Sequence, residues 1–195
     1  MARYPGKDAD GIFVSSSHGV REVSDAPRIK AAFERVANAM AHRPSLGHGT
    51  GVSVTRVTDG LRCESQEGPW KVVTDMPESA GGSGAGPTPG VFGRAALGSC
   101  LAIGITMYAA KHGVAIEALE VEIQADYDDG ALFGVSDTSP GYAEVRYIVR
   151  VTSGASEDDI HRVLDDAERH SPYLDVFGRA QVCRRSVQIN SMAPQ

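Results

Sequence analysis

The segment from Ala95 to Ala110 constrains the fold more than any other part of the sequence. It reads AALGSCLAIGITMYAA, sixteen residues without a charged side chain, between Arg94 and Lys111. A helix that crosses a bilayer needs about 20 apolar residues, so this shorter segment favours a core helix over a membrane span. Other parts of the chain must therefore cover it.

An amphipathic helix is predicted before this segment. Apolar residues recur at helical spacing from Ile29 to Met40, which indicates one apolar face. Asp25 is a possible cap and Pro27 suits the first turn. Because Pro44 disfavours a helical residue before it, we expect the helix to end near residue 42.

Short alternating runs predict strands, and turn residues separate them. The glycine-rich run at 79–90 predicts an irregular loop, and Asp59-Gly60 predicts a hairpin turn. The predicted order is a helix at 25–42, strands at 52–57, 61–66 and 70–74, the long helix at 91–111, strands at 116–126 and 142–152, a helix from Ser156 to a break at 170–172, a short helix at 173–179 and a strand at 181–190. Hairpins dominate and no strand–helix–strand unit recurs, so the sequence predicts an α+β fold with a largely antiparallel sheet.

Composition and charge exclude several classes of function. The net charge is -6, with 25 acidic and 19 basic residues, which disfavours nucleic acid or an anionic membrane as the main partner. The N-terminal sequence MARYPGKDADG is polar and predicts no signal peptide. Three widely spaced cysteines argue against a disulfide framework and a zinc site, and the six histidines lack metal-ligand spacing. We therefore expect a soluble, cytoplasmic protein without a metal or cofactor.

Cys100 is the strongest candidate for a reactive residue, because it lies in the middle of the long helix among small residues. A shielded thiol is inert unless a positive neighbour stabilises the thiolate. Arg94 is six residues earlier and lies on another face of a helix with 3.6 residues per turn. From composition and spacing alone, the simpler interpretation of Cys100 is a small core residue, since free cysteine is among the most buried residue types.

The other two cysteines are interpreted as structural residues in strands. Cys63 falls in the second predicted strand and Cys183 in the last one. Arg184 and Arg185 follow Cys183, but only Arg185 shares its side of a strand.

Two long segments together resemble the OsmC/Ohr family. The first is GPTPGVFGRAALGSCLAIGITMYAAKHGVAIEALEVEI at 86–123, and the second is DDIHRVLDDAERHSPYLDVFGRAQV at 158–182. The order of elements also agrees, and the resemblance extends over about 49–190. It divides the chain into an N-terminal arm and amphipathic helix at 1–48 and an OsmC-like domain at 49–195.

The resemblance implies both a fold and a chemistry. The fold is an intertwined homodimer in which long buried central helices pack against antiparallel sheets. The chemistry is a thiol-dependent reduction of organic hydroperoxides or hydrogen peroxide, as part of a bacterial response to oxidative stress. Cys100 matches the peroxidatic position, whose thiolate becomes a sulfenic acid that a resolving cysteine converts to a disulfide.

The sequence departs from the family pattern at three places. Ser171 stands at the position of the resolving cysteine, and serine cannot form a disulfide. Gly90 follows Pro89 where many members have an acidic residue. The stretch between Cys63 and Pro89 contains no arginine that could hold the thiolate.

Three functional hypotheses follow from these residues. The first is a one-cysteine peroxidase in which Cys100 is oxidised and an external thiol reduces it. The second is a non-catalytic protein that binds a small apolar or electrophilic ligand in the dimer cleft at Cys100. The third places the resolving thiol at Cys63 or Cys183, which requires a Cα–Cα distance below about 7 Å from Cys100.

Overall fold

A computed structural model describes residues 25–190, so the predicted arm at 1–24 lies outside the described residues. The helices and strands of the described part are α1 (Ala26–His42), β1 (Val54–Asp59), β2 (Arg62–Glu67), β3 (Trp70–Thr74), α2 (Pro89–His112), β4 (Ala118–Asp126), α3 (Asp129–Leu132), β5 (Glu144–Thr152), α4 (Glu157–Arg169) and α5 (Pro172–Gly178). This arrangement confirms the predicted α+β class. Three short features are additional to the prediction: 3-10 turns at Pro44–Gly47 and Glu78–Ala80, and helix α3 within the predicted connector.

Helix α2 is longer than the apolar segment that predicted it. It has 24 residues, Pro89–His112, and so extends slightly beyond the predicted 91–111, and Gly113 follows it as the predicted stop. Gly113 adopts a left-handed φ of 71°, and its N–H donates to the carbonyls of Ala109 and Ala110. By length and composition α2 could cross a membrane. Within the described residues it packs against α1, α4, α5 and β4.

The core lies where α2 packs on α4 and on the sheet of β4 and β5. Ile105 and Ala109 of α2 form a buried cluster with Val163 and Ala167 of α4, and all four are at most 3% exposed. The opposite side of α2 is open in the single chain, since Ile103 remains 60% exposed. One face of the apolar helix is therefore covered within this chain.

Gly98 allows α2 to approach β4 closely. A Cβ on Gly98 would lie 3.3 Å from Cγ1 of Ile123 in β4, which is tighter than most side-chain contacts. Gly104 lies beside α4 with more room, since a Cβ there would be 3.9 Å from Cβ of Ala167, an ordinary van der Waals distance. The absence of a side chain at Gly98 thus serves packing within the chain.

The strands form two separate antiparallel sheets. The first is a meander in the order β1-β2-β3, and the second is the hairpin-like pair β4-β5. Gly60 has a φ of 52° in the turn between β1 and β2, as Asp59-Gly60 predicted.

The pair β4-β5 has one apolar and one charged face. Leu119 and Val121 pack against the core. On the other face, Arg150 donates to Glu120 at 2.6 Å and to Glu122 at 2.7 Å. This arrangement confirms the alternation that predicted a half-buried strand.

The helix caps agree with the sequence at one site and differ at another. The Ser156 hydroxyl accepts a hydrogen bond from the Asp159 backbone N–H at 3.2 Å, as predicted for the start of α4. Asp25 directly precedes α1, but its carboxylate pairs with Arg28 and does not bond to a helix N–H. The ion pair therefore replaces the predicted side-chain cap.

The predicted strand at 181–190 is wrong for the single chain. These residues have no regular secondary structure, and Val182 and Ile189 are 83% and 88% exposed. A strand needs a neighbouring strand to take up its backbone hydrogen bonds, and none of the strands described here pairs with this segment. Cys183 is consequently exposed in an irregular segment and not in a sheet.

The glycine-rich loop before α2 is organised around one buried carboxylate. Asp75 is 2% exposed and accepts hydrogen bonds from the N–H of Met76 at 2.8 Å, of Ser83 at 3.0 Å and of Ala85 at 3.1 Å. The Ser83 hydroxyl donates a fourth bond at 2.7 Å. These bonds, led by the one from the Ser83 side chain, lower the pKa of Asp75 to about 2.

The same loop requires glycine where its backbone folds back on itself. A Cβ on Gly82 would lie 1.9 Å from the Met76 carbonyl oxygen, which no side chain tolerates. The glycine-rich loop predicted from composition therefore has one defined, closely packed backbone conformation, which leads into α2.

We expect Asp75→Asn to lower the thermal unfolding midpoint at pH 7, because an amide cannot replace a carboxylate that accepts four hydrogen bonds. The folded-state pKa of Asp75 is lowered, so its contribution is complete above the unfolded-state pKa of about 3.9 and is lost as the pH falls towards about 2. The difference in midpoint between wild type and variant should therefore narrow between pH 4 and pH 2 in a thermal scan. The exposed Asp137→Asn is the control, and an equal effect of both substitutions would contradict the role of Asp75.

Candidate functional site

The structure brings Cys100 and Ser171 into contact. The Cys100 sulfur lies 3.5 Å from the Ser171 hydroxyl oxygen, although 71 residues separate them in sequence. Cys100 is half-buried in the middle of α2, and Ser171 is 6% exposed at the junction of α4 and α5. The two residues that the sequence singled out for the site are therefore direct neighbours.

Local hydrogen bonds fix the orientation of the Ser171 hydroxyl. Ser171 precedes Pro172 at the start of α5, and its Oγ accepts the Leu174 N–H at 3.3 Å. Its own backbone N–H donates to the Glu168 carbonyl at 3.1 Å. A hydroxyl carries one hydrogen and two acceptor lone pairs, so after accepting the Leu174 N–H the Ser171 Oγ can still either donate to the Cys100 sulfur or accept from it.

Arg94 is engaged elsewhere, as the helix geometry predicted. Its Nη1 donates to the Tyr142 hydroxyl at 3.3 Å, and that hydroxyl donates to the Gly90 carbonyl at 3.2 Å. In the structure at 25–190, the polar contact recorded for the Cys100 sulfur is with Ser171. The geometry therefore shows a hydroxyl, not a guanidinium, beside the thiol.

An aromatic stack connects the start of α2 to α5. The Tyr142 ring is stacked on Phe177 of α5 with centroids 6.1 Å apart, and the tilted Tyr127 ring lies with its centroid 6.4 Å from that of Tyr142. Spacing along the sequence gave no sign that these three rings meet. They give the part of the molecule around α5 an apolar, aromatic character.

The spacing along α2 could have revealed one further feature. Cys100, Gly104 and Tyr108 recur every four residues, so they lie on one face of the helix. That face meets the end of α4, where Ala167 lies beside Gly104 and His170 stacks on Tyr108 at 5.3 Å. Tyr108 and His170 were not among the predicted site residues.

The other cysteines lie in different surroundings from Cys100. Cys63 lies half-buried in β2, opposite Val57 and Thr74, and its sulfur contacts the Leu61 carbonyl at 3.6 Å. Cys183 is exposed. All three thiols are free, and the described residues contain no cluster of side chains suited to a metal ion.

Comparison with known proteins identifies the fold family. The family model described as OsmC-like protein matches residues 81–184, slightly more than half of the chain. The chain belongs to the OsmC-like family. The matched residues include both Cys100 and Ser171, and members of this family are soluble proteins.

Solved structures share this fold at low sequence identity. An OsmC-like protein from Mycoplasma pneumoniae is 14% identical, with a TM-score of 0.58 over 67% of this chain and 88% of that chain. A hypothetical protein from Aquifex aeolicus is 10% identical, with a TM-score of 0.54 over 67% and 89%. An OsmC-like protein of unknown function from Vibrio cholerae is 11% identical, with a TM-score of 0.51 over 66% and 94%. No curated protein sequence matches the chain significantly.

We expect Ser171→Cys to form a disulfide with Cys100 when the purified protein is treated with diamide. The sulfur and hydroxyl oxygen already lie 3.5 Å apart, and a disulfide needs side chains that point at each other with Cβ atoms about 3.8 Å apart. Mass spectrometry of the intact chain and its peptides would show the loss of two hydrogens and the linked pair.

The matched control is Ser156→Cys, whose new thiol lies at the exposed start of α4. It should leave Cys100 free. If both thiols of the Ser171→Cys chain remained open to alkylation after oxidation, the two side chains would not approach each other in solution.

Proposed function

We propose that this protein is a thiol-dependent peroxidase that reduces organic hydroperoxides through Cys100 and completes its cycle with an external thiol. The observation that supports this proposal most directly is the contact between Cys100 and the Ser171 hydroxyl in a chain of the OsmC-like family. The hydroxyl can donate a hydrogen bond to the Cys100 thiolate and to the sulfenate that forms from it. It cannot form a disulfide with Cys100.

The proposed reaction balances with two external thiols. The Cys100 thiolate attacks the terminal oxygen of the hydroperoxide, the O–O bond breaks, and the alkoxide leaves and takes up a proton to become the alcohol. The resulting sulfenic acid reacts with one thiol to give a mixed disulfide and water. A second thiol then releases the external disulfide and restores the Cys100 thiol.

The surroundings of the pair favour an organic substrate over hydrogen peroxide. Helix α5 begins beside Ser171, and it carries Leu174, which is half-buried, and Phe177 in the aromatic stack. Apolar and aromatic side chains bind an alkyl or aryl group by removing it from water, whereas hydrogen peroxide offers no apolar surface.

A second function has its own supporting observation. Within residues 25–190 the Cys100 sulfur has a hydroxyl neighbour and no recorded bond to a cationic group, and nucleophilic thiolates usually depend on such a group. The alternative is a protein that binds a small apolar ligand at Cys100 without turnover. Peroxide reactivity separates the two functions, because the alternative expects only the rate of an ordinary free thiol.

We expect one equivalent of cumene hydroperoxide to oxidise Cys100 rapidly to a sulfenic acid that dimedone traps. Peptide mass spectrometry of the quenched reaction identifies the modified cysteine, and Cys100→Ser should abolish the rapid phase. Ser171→Ala should slow it about tenfold at pH 7, since a hydrogen bond to a charged group contributes about 1.5–3 kcal/mol.

Ser99→Ala is the matched control for the loss of a hydroxyl on or beside α2. The Ser99 hydroxyl donates to the Ala96 carbonyl at 3.2 Å and is exposed, so this variant should react like wild type. If Cys100 is oxidised no faster than free cysteine, the peroxidase function is excluded. Binding of a small apolar ligand would then be the remaining proposal.

We further propose that the protein is a homodimer in the cytoplasm. On α2, Ile103 is 60% exposed, and on the meander one face presents Val57, Trp70 and Val72 with exposures of 69%, 77% and 42%. Apolar surface of this extent is typical of a face that another subunit covers. Three free thiols are consistent with a reducing compartment.

We expect wild-type protein to sediment as a dimer and Ile103→Lys to shift it towards the monomer, because a buried lysine in an interface is unfavourable. Ile148→Lys is the matched control, since Ile148 lies opposite Glu122 on the charged face of β4-β5 and is 42% exposed. Analytical ultracentrifugation distinguishes the species. A wild-type monomer, or an equal effect of both lysines, would contradict an interface on this face of α2.

A further inference from the structure

Helix α1 contacts the rest of the chain through an aromatic residue. The Phe33 ring meets the Tyr108 ring of α2 edge to face, with centroids 5.4 Å apart and planes at 70°. The Lys111 ammonium lies 5.4 Å from the Phe33 centroid and 4.9 Å from that of Tyr108. This combination of edge-to-face and cation–π contacts is favourable and directional, so it fixes the position of the Tyr108 ring.

The other face of Tyr108 holds the end of α4. The His170 ring is stacked on Tyr108 with centroids 5.3 Å apart and planes at 23°. The Nδ1 of His170 lies 2.7 Å from the Asp166 carbonyl oxygen, to which its N–H donates. The Asp166 carboxylate is hydrogen-bonded in turn to His112 of α2 at 2.8 Å, so α2 and α4 are joined at this end by a ring stack and a hydrogen bond.

The residue after His170 is Ser171, whose hydroxyl contacts the Cys100 sulfur. Between the two contacts, Ala167 lies beside Gly104, where an added Cβ would be 3.9 Å from the alanine Cβ, an ordinary van der Waals distance. Because His170 and Ser171 are adjacent in sequence, we expect a shift of the His170 backbone relative to α2 to move Ser171 relative to Cys100. The Tyr108–His170 stack lies two helical turns from the sulfur along the same face of α2.

We propose that α1 is an intramolecular clamp, in which Phe33 holds the Tyr108–His170 stack and thereby keeps the Ser171 hydroxyl on Cys100. Phe33, Tyr108 and His170 are positioning residues, and none of them contacts the sulfur. Helix α1 itself lies outside residues 81–184, which the family model matches, whereas Tyr108 and His170 lie within them. The proposal rests on the proposed function only in taking Cys100 as a reactive thiol.

The exposure of α1 indicates that Phe33 is its principal anchor. Phe33 is half-buried, whereas Val36 and Met40, further along the same apolar stripe, are 48% and 39% exposed. No residue of α1 is fully buried. Truncation of Phe33 should therefore release the clamp with little effect on the core, and truncation of Val36 provides a matched control.

The test measures the alkylation rate of Cys100 by iodoacetamide at pH 7, resolved for each cysteine by peptide mass spectrometry. Ser171→Ala should slow the reaction through loss of the hydrogen-bond donor, and Phe33→Ala should slow it in the same direction, by about threefold to tenfold. The double variant should match Ser171→Ala within about twofold, because both changes remove the same contact. Val36→Ala should match wild type, and Phe33→Tyr, which keeps the ring, should retain the wild-type rate.

Several outcomes would overturn the clamp: a Phe33→Ala rate equal to wild type, additive effects in the double variant, or no effect of Ser171→Ala. Phe33→Leu keeps the apolar bulk without an aromatic edge and replaces Phe33→Ala if that chain does not fold, as judged by circular dichroism. Alkylation needs no peroxide, so the two proposals can fail separately. If the protein does not react rapidly with cumene hydroperoxide but shows this pattern of alkylation rates, the clamp is supported and the peroxidase function is contradicted.

Discussion

The close packing of α2 against β4 and α4 is the constraint on which the rest of the structure depends. The sixteen-residue apolar segment of α2 is unfavourable in water. Gly98 allows β4 to approach the helix backbone closely, and Ala167 of α4 lies beside Gly104. This approach sets the distance between the Cys100 face of α2 and the turn that carries Ser171. The geometry of the site is thus a consequence of core packing and not of a flexible loop.

The neighbour of the Cys100 thiol is a buried hydroxyl. Its orientation is fixed by a hydrogen bond in the first turn of α5. Such a neighbour can stabilise charge on sulfur and on a bound sulfenate, but it cannot form the disulfide that ends a two-cysteine cycle. Chemistry at this pair therefore depends on a thiol from outside, on ligand binding, or on movement of another cysteine.

Two hydrogen-bonded carboxylates stabilise the fold at the two ends of α2. Asp75 organises the loop that leads into α2 through four hydrogen bonds to one carboxylate. At the other end of α2, His112 binds Asp166, and this hydrogen bond is the main reason that the pKa of Asp166 is lowered. In both places, hydrogen bonds offset the cost of removing a carboxylate from water.

The sequence by itself determined the elements and the family, because periodicity and the two long segments at 86–123 and 158–182 depend only on local order. It also singled out Cys100 and Ser171, but a contact between residues 71 positions apart is decided by tertiary packing. The same holds for the Tyr108–His170 stack and for the engagement of Arg94 by Tyr142. The closing strand predicted at 181–190 does not form in the single chain, since a strand requires a partner and its own sequence cannot supply one.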